Sequence, residues 1–246
     1  MSASPKKDFL SISQLSPAEL SDMLQLAIKL KREWKSGGNP QWLKGKSLGM
    51  IFAKPSLRTR VSFEMGMLDM GGHAIYIGPD EIKLGQRESV PDVARVLARY
   101  VDCIMARVFA HSDVVTLAQY AHVPVINGLS DYEHPCQCMA DLMTMVERKG
   151  SIKNLQVTFV GDSNNNVTNS LAYGVTLLGG HISFAAPVAS PGFSSRSSAV
   201  LAFACAFLRP IFAFKAAFSR CSRREAFEEF GSSRGSRVMA PSLAQG

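Results

Sequence analysis

The segment SLGMIFAKPSLRTRVSFEMG, Ser47–Gly66, joins a short apolar run, a Pro-Ser break and a second apolar run at helical spacing. This order predicts a β-strand, a loop and an α-helix, the repeating unit of a parallel α/β sheet. Arg58 and Arg60 lie where the helix begins, although the helix dipole favours acidic side chains at that end. The two arginines indicate either an anionic ligand on the helix start or a solvated basic terminus.

The same strand–helix order is repeated along the chain. The segments HAIYIG, CIMAR and VPVINGL are predicted strands, and amphipathic segments lie between them. A first helix precedes them, and Ser16 with Glu19 forms a predicted capping box at its start. Apolar strands that alternate with amphipathic helices indicate a parallel sheet flanked by helices on both faces.

Lys149-Gly150-Ser151 marks the predicted boundary between two units. Residues 1–150 form the first domain, and LQVTFVGD and HISFAAP are the strands that begin a truncated second α/β domain over residues 151–187. The first of these strands is expected to be buried. From Pro191 onward the sequence contains no Asp, Asn, Thr, Tyr, His or Trp, and the strand–helix alternation stops. A helix over residues 199–218 would be broken at Pro210. Residues 188–246 are therefore a tail that does not continue the second domain.

Composition excludes several classes of protein. The chain has 246 residues, of which 46% are hydrophobic and 19% charged, which is typical of a globular protein. Five of its seven net positive charges lie in the tail, so nucleic acid is not an expected partner. The five cysteines include no C-x-x-C pair, which favours reduced thiols over disulfides or zinc.

The sequence favours a cytoplasmic protein without a membrane span. The start, MSASPKKDFL, lacks the apolar core of a signal peptide. The most apolar run, Ala199–Phe214, is interrupted by Arg209 and Pro210 and is shorter than the ~20 residues that a span needs. A tail-anchored protein would rest on this run alone.

Polar side chains occupy the junctions between strands and helices, where ligands bind in such sheets. His134-Pro135-Cys136-Gln137 indicates either a cap-and-turn or donors to a carbonyl and an amide. Arg107, at the end of a strand, needs either an acidic partner or an anionic ligand. The segment FVGDSNNNVTNS is either a polar capping loop or an uncharged binding loop.

These segments together resemble the carbamoyltransferases. S-x-R-T-R, H-P-x-Q and F-x-G-D-x-x-N-N-V-x-N-S occur in the order and spacing of that family, over about residues 9–187. GDSNNNVTNS favours the ornithine branch over the aspartate branch. The resemblance implies a carbamoyl phosphate-binding domain over residues 1–150 and the start of an ornithine-binding domain. It also implies transfer of the carbamoyl group from carbamoyl phosphate to the side-chain amine of L-ornithine, giving citrulline and phosphate, without a metal or organic cofactor.

The resemblance assigns roles residue by residue. Phosphate would be held by the helix start and by a loop, EIKLGQRES, from a neighbouring subunit of a homotrimer or a multiple of trimers: Ser56, the backbone N–H of Leu57, Arg58, Thr59 and Lys83. Arg107 would bridge phosphate and the carbonyl oxygen, His134 would donate to that oxygen, and Gln137 would hold the carbamoyl NH2. Asn166 would hold the amino-acid end of ornithine. The catalytic residues would be Arg58, Thr59, Arg107 and His134.

Two motifs of the family are missing. The family's second domain carries D-x-x-x-S-M-G and H-C-L-P, and this chain has neither, nor any Asp after Asp162. Cys205 and Cys221 lie in unrelated contexts. We expect the tail to be an out-of-frame translation and turnover to be impaired. A non-catalytic carbamoyl phosphate-binding subunit and a transferase for another amine, such as putrescine, are the alternatives.

Overall fold

A computed structural model of the chain describes residues 6–186. The elements, in chain order, are a 3-10 turn at Ile12–Gln14, α1 Pro17–Lys35, β1 Ser47–Phe52, α2 Leu57–Asp69, β2 His73–Ile77, α3 Pro79–Ile82, α4 Val90–Leu97, β3 Cys103–Arg107, α5 His111–Tyr120, β4 Val125–Leu129, α6 Pro135–Lys149, β5 Gln156–Val160, α7 Asn166–Leu177 and β6 His181–Ala185. The 3-10 turn and the short helix α3 are absent from the sequence prediction. The tail over 188–246 lies outside the described residues.

Four strands form one parallel sheet in the order β2-β1-β3-β4. The predicted parallel α/β fold is confirmed, as are the strand CIMAR and the capping box of α1, in which Ser16 and Glu19 exchange hydrogen bonds. Helices cover both faces of this sheet because its inner strands are apolar on both sides. β1, for example, is buried at each position.

Two hydrophobic clusters lie on opposite faces of the sheet. Leu48, Met50 and Phe52 of β1 point into the larger cluster, which contains side chains of α1, α2 and α6. Ile51 points into the smaller cluster, with side chains of α4 and α5. At Gly49 the α4 helix packs so closely that a Cβ atom would lie 3.0 Å from a methyl carbon of Leu97. A side chain at position 49 would therefore displace α4 from the sheet.

The second sheet differs from the prediction. β5 and β6 pair in parallel, as expected, but β5 is not a buried strand. Val157 and Phe159 pack against the main core, whereas Gln156, Thr158 and Val160 are exposed. The alternation arises because this two-stranded sheet has one covered face in the described part of the chain. The sequence carries the same alternation, since Gln156 and Thr158 alternate with Val157 and Phe159, which pack against the core.

Within residues 6–186, no helix combines the length and apolar character needed to cross a membrane. Cys103, Cys136 and Cys138, the cysteines in that range, are buried and form no disulfide among the described residues.

Candidate functional site

The site is built at the carboxyl ends of three adjacent strands. Phe52 of β1 is paired with Arg107 of β3, and Arg107 is paired with Leu129 of β4. The loops continue this pairing, since the amide of Ala53 donates to the Arg107 carbonyl at 2.9 Å. The starts of α2 and α6 therefore converge with Arg107 at one edge of the sheet.

The α2 start presents polar groups from both backbone and side chains. Ser56 caps the helix, donating to Thr59 Oγ1 at 3.0 Å and accepting from the Thr59 amide at 3.4 Å. The first amides of a helix have no intrahelical acceptor, so the N–H groups of Leu57 and Arg58 face outward. Leu57 is 78% exposed and its side chain is apolar, so only its backbone N–H can bind an anion.

The two arginines of the α2 start have different environments. Arg60 donates from Nε to Glu64 Oε1 at 2.9 Å and stacks on Tyr76 with 4.1 Å from its guanidinium carbon to the ring centroid. Arg58 is exposed and forms no ion pair with any residue in 6–186. The Arg60 guanidinium is therefore paired within the protein, whereas the Arg58 guanidinium is available to bind an anionic ligand.

Arg107 extends into the site from the end of β3. Its Nη1 donates to Thr59 Oγ1 at 3.4 Å, while its Nε is buried without a hydrogen-bond partner. Burial lowers the pKa of Arg107, and the charge of Arg58 lowers it further. The structural ion pair considered from the sequence is not found among the described residues. A half-buried guanidinium whose buried Nε–H is unsatisfied favours an anionic ligand.

Lys54 is a part of the site that sequence reasoning missed. Its Nζ lies 4.7 Å from the ring centroid of Phe109. Burial and the Arg107 charge lower the pKa of Lys54, and Asp131 opposes this effect. The signal available in the sequence was its position two residues after β1, at the strand end where the other ligand groups lie. Lys54, Arg58 and Arg107 together make this edge strongly positive.

His134 is the residue that precedes α6. Its side chain makes no capping hydrogen bond, so the cap interpretation does not hold for the imidazole. The Nδ1 atom is buried without a partner, and the backbone N–H donates to Ser170 Oγ at 3.0 Å. Burial, with the nearby charges of Arg107 and Lys54, lowers the pKa of His134 to about 3. The imidazole is therefore neutral near pH 7 and offers a single N–H donor.

Three other predicted residues have the following places. Gln137 donates from Nε2 to Asp141 Oδ1 at 2.9 Å, one turn further along α6. Asn166 donates from Nδ2 to the Ser130 carbonyl at 2.6 Å, which joins α7 to the turn before His134. Lys83 is exposed, in a left-handed conformation with φ 40°, and no contact within residues 6–186 joins its side chain to the cationic edge.

Glu133 is a second residue that the sequence did not reveal. It is fully buried and accepts hydrogen bonds from Ile12 and Ser170 at 3.1 and 3.0 Å. The sequence predicts that an acidic residue beside a His-Pro turn is exposed to solvent. The neighbouring residues do not indicate that Glu133 is buried. Within the described range, no group of three or more His, Cys, Asp or Glu side chains is arranged to hold a metal ion.

A family model described as the carbamoyl-P binding domain of aspartate/ornithine carbamoyltransferase matches residues 7–147. The chain belongs to this family. It is 50% identical over 182 residues to the ornithine carbamoyltransferase of Methanoculleus marisnigri, covering 74% of this chain and 59% of the relative. It is 51% identical to that of Pyrococcus horikoshii over 182 residues, which cover 74% of this chain and 57% of the relative.

Solved structures of the family have the same fold. The ornithine carbamoyltransferase of Pyrococcus furiosus superposes with a TM-score of 0.71 at 48% identity, over 76% of this chain and 59% of that one. The enzyme of Thermus thermophilus gives 0.69 at 47% identity, over 73% and 61%. This carbamoyltransferase-family chain thus spans about three fifths of the length of these relatives, and its C-terminal part is not matched.

The pKa of His134 predicts acid sensitivity. Its folded pKa of about 3 lies below the ordinary value of 6.5, so the unfolded chain binds one more proton between these pH values. The free energy of unfolding therefore falls as pH is lowered from 6.5 toward 3, by at most ~1.4 kcal/mol per pH unit from this residue. Urea unfolding at pH 7 and pH 4.5 measures the loss. His134→Gln, which does not titrate, should lose less stability between the two pH values, and an equal loss would contradict the assignment.

Proposed function

We propose that the cationic edge formed by Lys54, the α2 start and Arg107 binds carbamoyl phosphate. The observation that carries the proposal is the Arg107 guanidinium, whose buried Nε has no partner and whose charge no acid in residues 6–186 neutralises. A dianionic phosphate supplies acceptors for this group, for Arg58 and for the helix amides. The proposed phosphate ligands are Ser56, Leu57 through its N–H, Arg58, Thr59 and Arg107.

The reaction of the family's relatives supplies the second half of the proposal. A neutral amine attacks the carbonyl carbon of carbamoyl phosphate, a C–N bond forms, and the C–O bond to phosphate breaks with its electron pair leaving on phosphate. The amine gives up a proton and the product is a ureido group. The ornithine side-chain amine, with a pKa near ~10 in water like that of lysine, has to react in its neutral form.

The residues around the carbonyl would stabilise its developing negative charge. Arg107 and the single N–H of neutral His134 are the proposed donors to the oxygen, and Gln137 the group that holds the carbamoyl NH2. Neutral His134 acts as a fixed donor rather than as an acid, because its pKa of about 3 keeps it unprotonated at physiological pH. Arg58 and Arg107 also stabilise the departing phosphate. Asn166 is proposed to bind the amino-acid end of ornithine through its amide oxygen, since its NH2 group bonds Ser130.

Isothermal titration of the purified chain with carbamoyl phosphate, and separately with inorganic phosphate, tests the site. We expect both to bind, with carbamoyl phosphate the tighter ligand because it adds contacts to His134 and Gln137. Absence of heat with either ligand would overturn the proposed site.

A non-catalytic carbamoyl phosphate-binding subunit is the second candidate. It uses the same cationic edge, and the observation that favours it is the lack of D-x-x-x-S-M-G and H-C-L-P motifs in the sequence. The two candidates differ only in turnover, so a citrulline assay separates them. The division at residue 150, the out-of-frame tail, the amine substrate and a cytoplasmic location stay predictions.

We also propose a homotrimer in which Lys83 of one chain enters the phosphate site of the next. Lys83 is exposed beside α3, and no ion pair within residues 6–186 joins it to the cationic edge of its own chain. An exposed apolar stripe runs along α2 at helical spacing, next to the sheet's edge strand: Leu57, Val61, Met65 and Leu68. A second copy of the chain would cover this stripe, since a site completed from a neighbour requires a heterologous interface that closes into a ring.

Leu68→Glu should therefore dissociate the oligomer. Leu68 is 64% exposed in the single chain, and burying such a side chain in an interface contributes roughly 1.5–3 kcal/mol per subunit contact. Sedimentation velocity measures the mass of the variant. Val96→Glu, on α4 at 56% exposure, is the matched control and should retain the trimer. A monomeric wild-type chain, or a trimeric Leu68→Glu, would contradict the proposal.

A further inference from the structure

One face of α7 is hydrogen-bonded to the turn over residues 130–134, which carries His134. The side chains on this face recur at helical spacing: Asn166, Asn169, Ser170 and Tyr173. Asn169 Nδ2 donates to the Tyr132 carbonyl at 2.9 Å, and the hydroxyls of Tyr173 and Tyr132 lie 2.8 Å apart. Asn166 bonds the Ser130 carbonyl at 2.6 Å. The helix thus fixes the backbone of the turn at successive positions.

Ser170 forms the contact with His134 itself. Its hydroxyl accepts the His134 backbone N–H at 3.0 Å and donates to Glu133 Oε2 at 3.0 Å. A carboxylate only accepts hydrogen bonds, so Glu133 fixes the direction of the single Ser170 hydroxyl hydrogen. A lone pair of the Ser170 oxygen is then left for the amide of His134.

Glu133 is anchored on its other side by the N-terminal segment. Oε1 accepts from the Ser11 hydroxyl, and Oε2 accepts from the Ile12 amide at 3.1 Å as well as from Ser170. The residue and Ser170 are both fully buried. Hydrogen bonds from two segments therefore meet at one carboxylate. We call the contact of Oε1 with Ser11 the Oε1 arm, and the chain from Oε2 through Ser170 to the His134 amide the Oε2 arm.

We propose that Glu133 and Ser170 are positioning residues, which aim the His134 imidazole at the carbonyl oxygen of bound carbamoyl phosphate. This inference rests on the proposed function. Neither residue touches the proposed ligand. Loss of the Ser170 hydroxyl leaves the partly buried His134 amide without this acceptor, and an unsatisfied group is costly enough for the turn to move toward water. The phosphate ligands on α2 and β3 share no hydrogen bond with this arm.

The geometry predicts a selective loss of affinity in the full chain. Ser170→Ala and Glu133→Ala should weaken binding of carbamoyl phosphate about two- to tenfold, the effect of one lost hydrogen bond, while binding of inorganic phosphate stays within about twofold. Glu133→Gln keeps an oxygen for Ser170 and turns its NH2 toward Ser11, so it should recover most of the affinity. Ser11→Ala is the matched control on the Oε1 arm and should leave the ratio of the two affinities unchanged.

A ligand-free readout separates this inference from the proposed function. The imidazole of His134 is followed by NMR against pH, starting from a pKa of about 3 in the native chain. Release of the turn should raise that pKa toward 6.5 in Ser170→Ala and Glu133→Ala, and not in Ser11→Ala. If the native chain does not bind carbamoyl phosphate and these shifts are present, the proposed function fails, while the control of the His134 imidazole by Glu133 and Ser170 stands. An unmoved His134 pKa in Ser170→Ala, or an equal shift in Ser11→Ala, overturns the inference.

Discussion

The 246-residue chain is expected to form citrulline from ornithine at a rate several orders of magnitude below that of a complete family enzyme. The proposed carbamoyl phosphate half of the site lies on the first sheet. The other half requires a group that pairs with the ornithine α-amino group and a wall that closes over the substrate. After Asp162 the sequence offers no Asp, and its Glu residues match no family motif. Positioning of two reactants can account for up to roughly 7–11 kcal/mol of a barrier.

The assay measures citrulline at saturating carbamoyl phosphate and high ornithine. Its control is a frame-corrected chain, in which one nucleotide change restores the S-M-G and H-C-L-P motifs after residue 187. The corrected chain should be active, and the same assay with putrescine tests the alternative amine. Equal rates for the two chains would show that the second-domain motifs are dispensable and that the interpretation of the tail is wrong. A gene in which no single change restores the motifs would also reject the frame hypothesis.

Arg58→Ala should weaken phosphate binding about ten- to a hundredfold. A hydrogen bond to a charged group contributes about 1.5–3 kcal/mol, and Arg58 has no ion-pair partner within residues 6–186 to reduce its availability. Calorimetric titration with inorganic phosphate gives the affinity. His134→Ala should reduce phosphate affinity much less, because its proposed partner is the carbonyl oxygen.

Arg60→Ala is the matched control for Arg58→Ala. It lies two residues further on the same helix and removes the same charge, but its guanidinium is bonded to Glu64 and stacked on Tyr76. We expect a change in phosphate affinity of less than about threefold, from long-range charge alone. Equal losses in both variants would mean that the anion responds to net charge rather than to Arg58.

The first sheet followed closely from the sequence. CIMAR and VPVINGL are apolar on both faces and are bounded by loop residues, so their period and length identified buried parallel strands. β5 differs, because Gln156 and Thr158 are exposed, as their polarity indicates, and so is the apolar Val160. Burial of a strand depends on what packs against it, and this information lies in distant parts of the chain.

The sequence predicts those site residues whose charge is unusual for their position or which lie in a spaced motif. Arg58 and Arg107 are unusual at a helix start and a strand end, and both now lie on one cationic edge. Glu133 and Ser170 were not recognised, because their role depends on a contact between segments 37 residues apart in sequence. Lys54 could not be assigned from the sequence for a different reason. A lysine after a strand is common, and only the fold shows that this one lies near the Arg107 charge.

An anion bound at the α2 start should shift the backbone amide signals of that segment, and an NMR titration measures these shifts. Inorganic phosphate is added to the labelled full chain, and the amide signals of Leu57, Arg58 and Thr59 are followed with the side-chain Nε–H of Arg107. We predict that these signals shift together with one dissociation constant, and that Arg58→Ala weakens that constant for all of them. Saturable shifts confined to other parts of the chain, with these signals unmoved, would contradict the account.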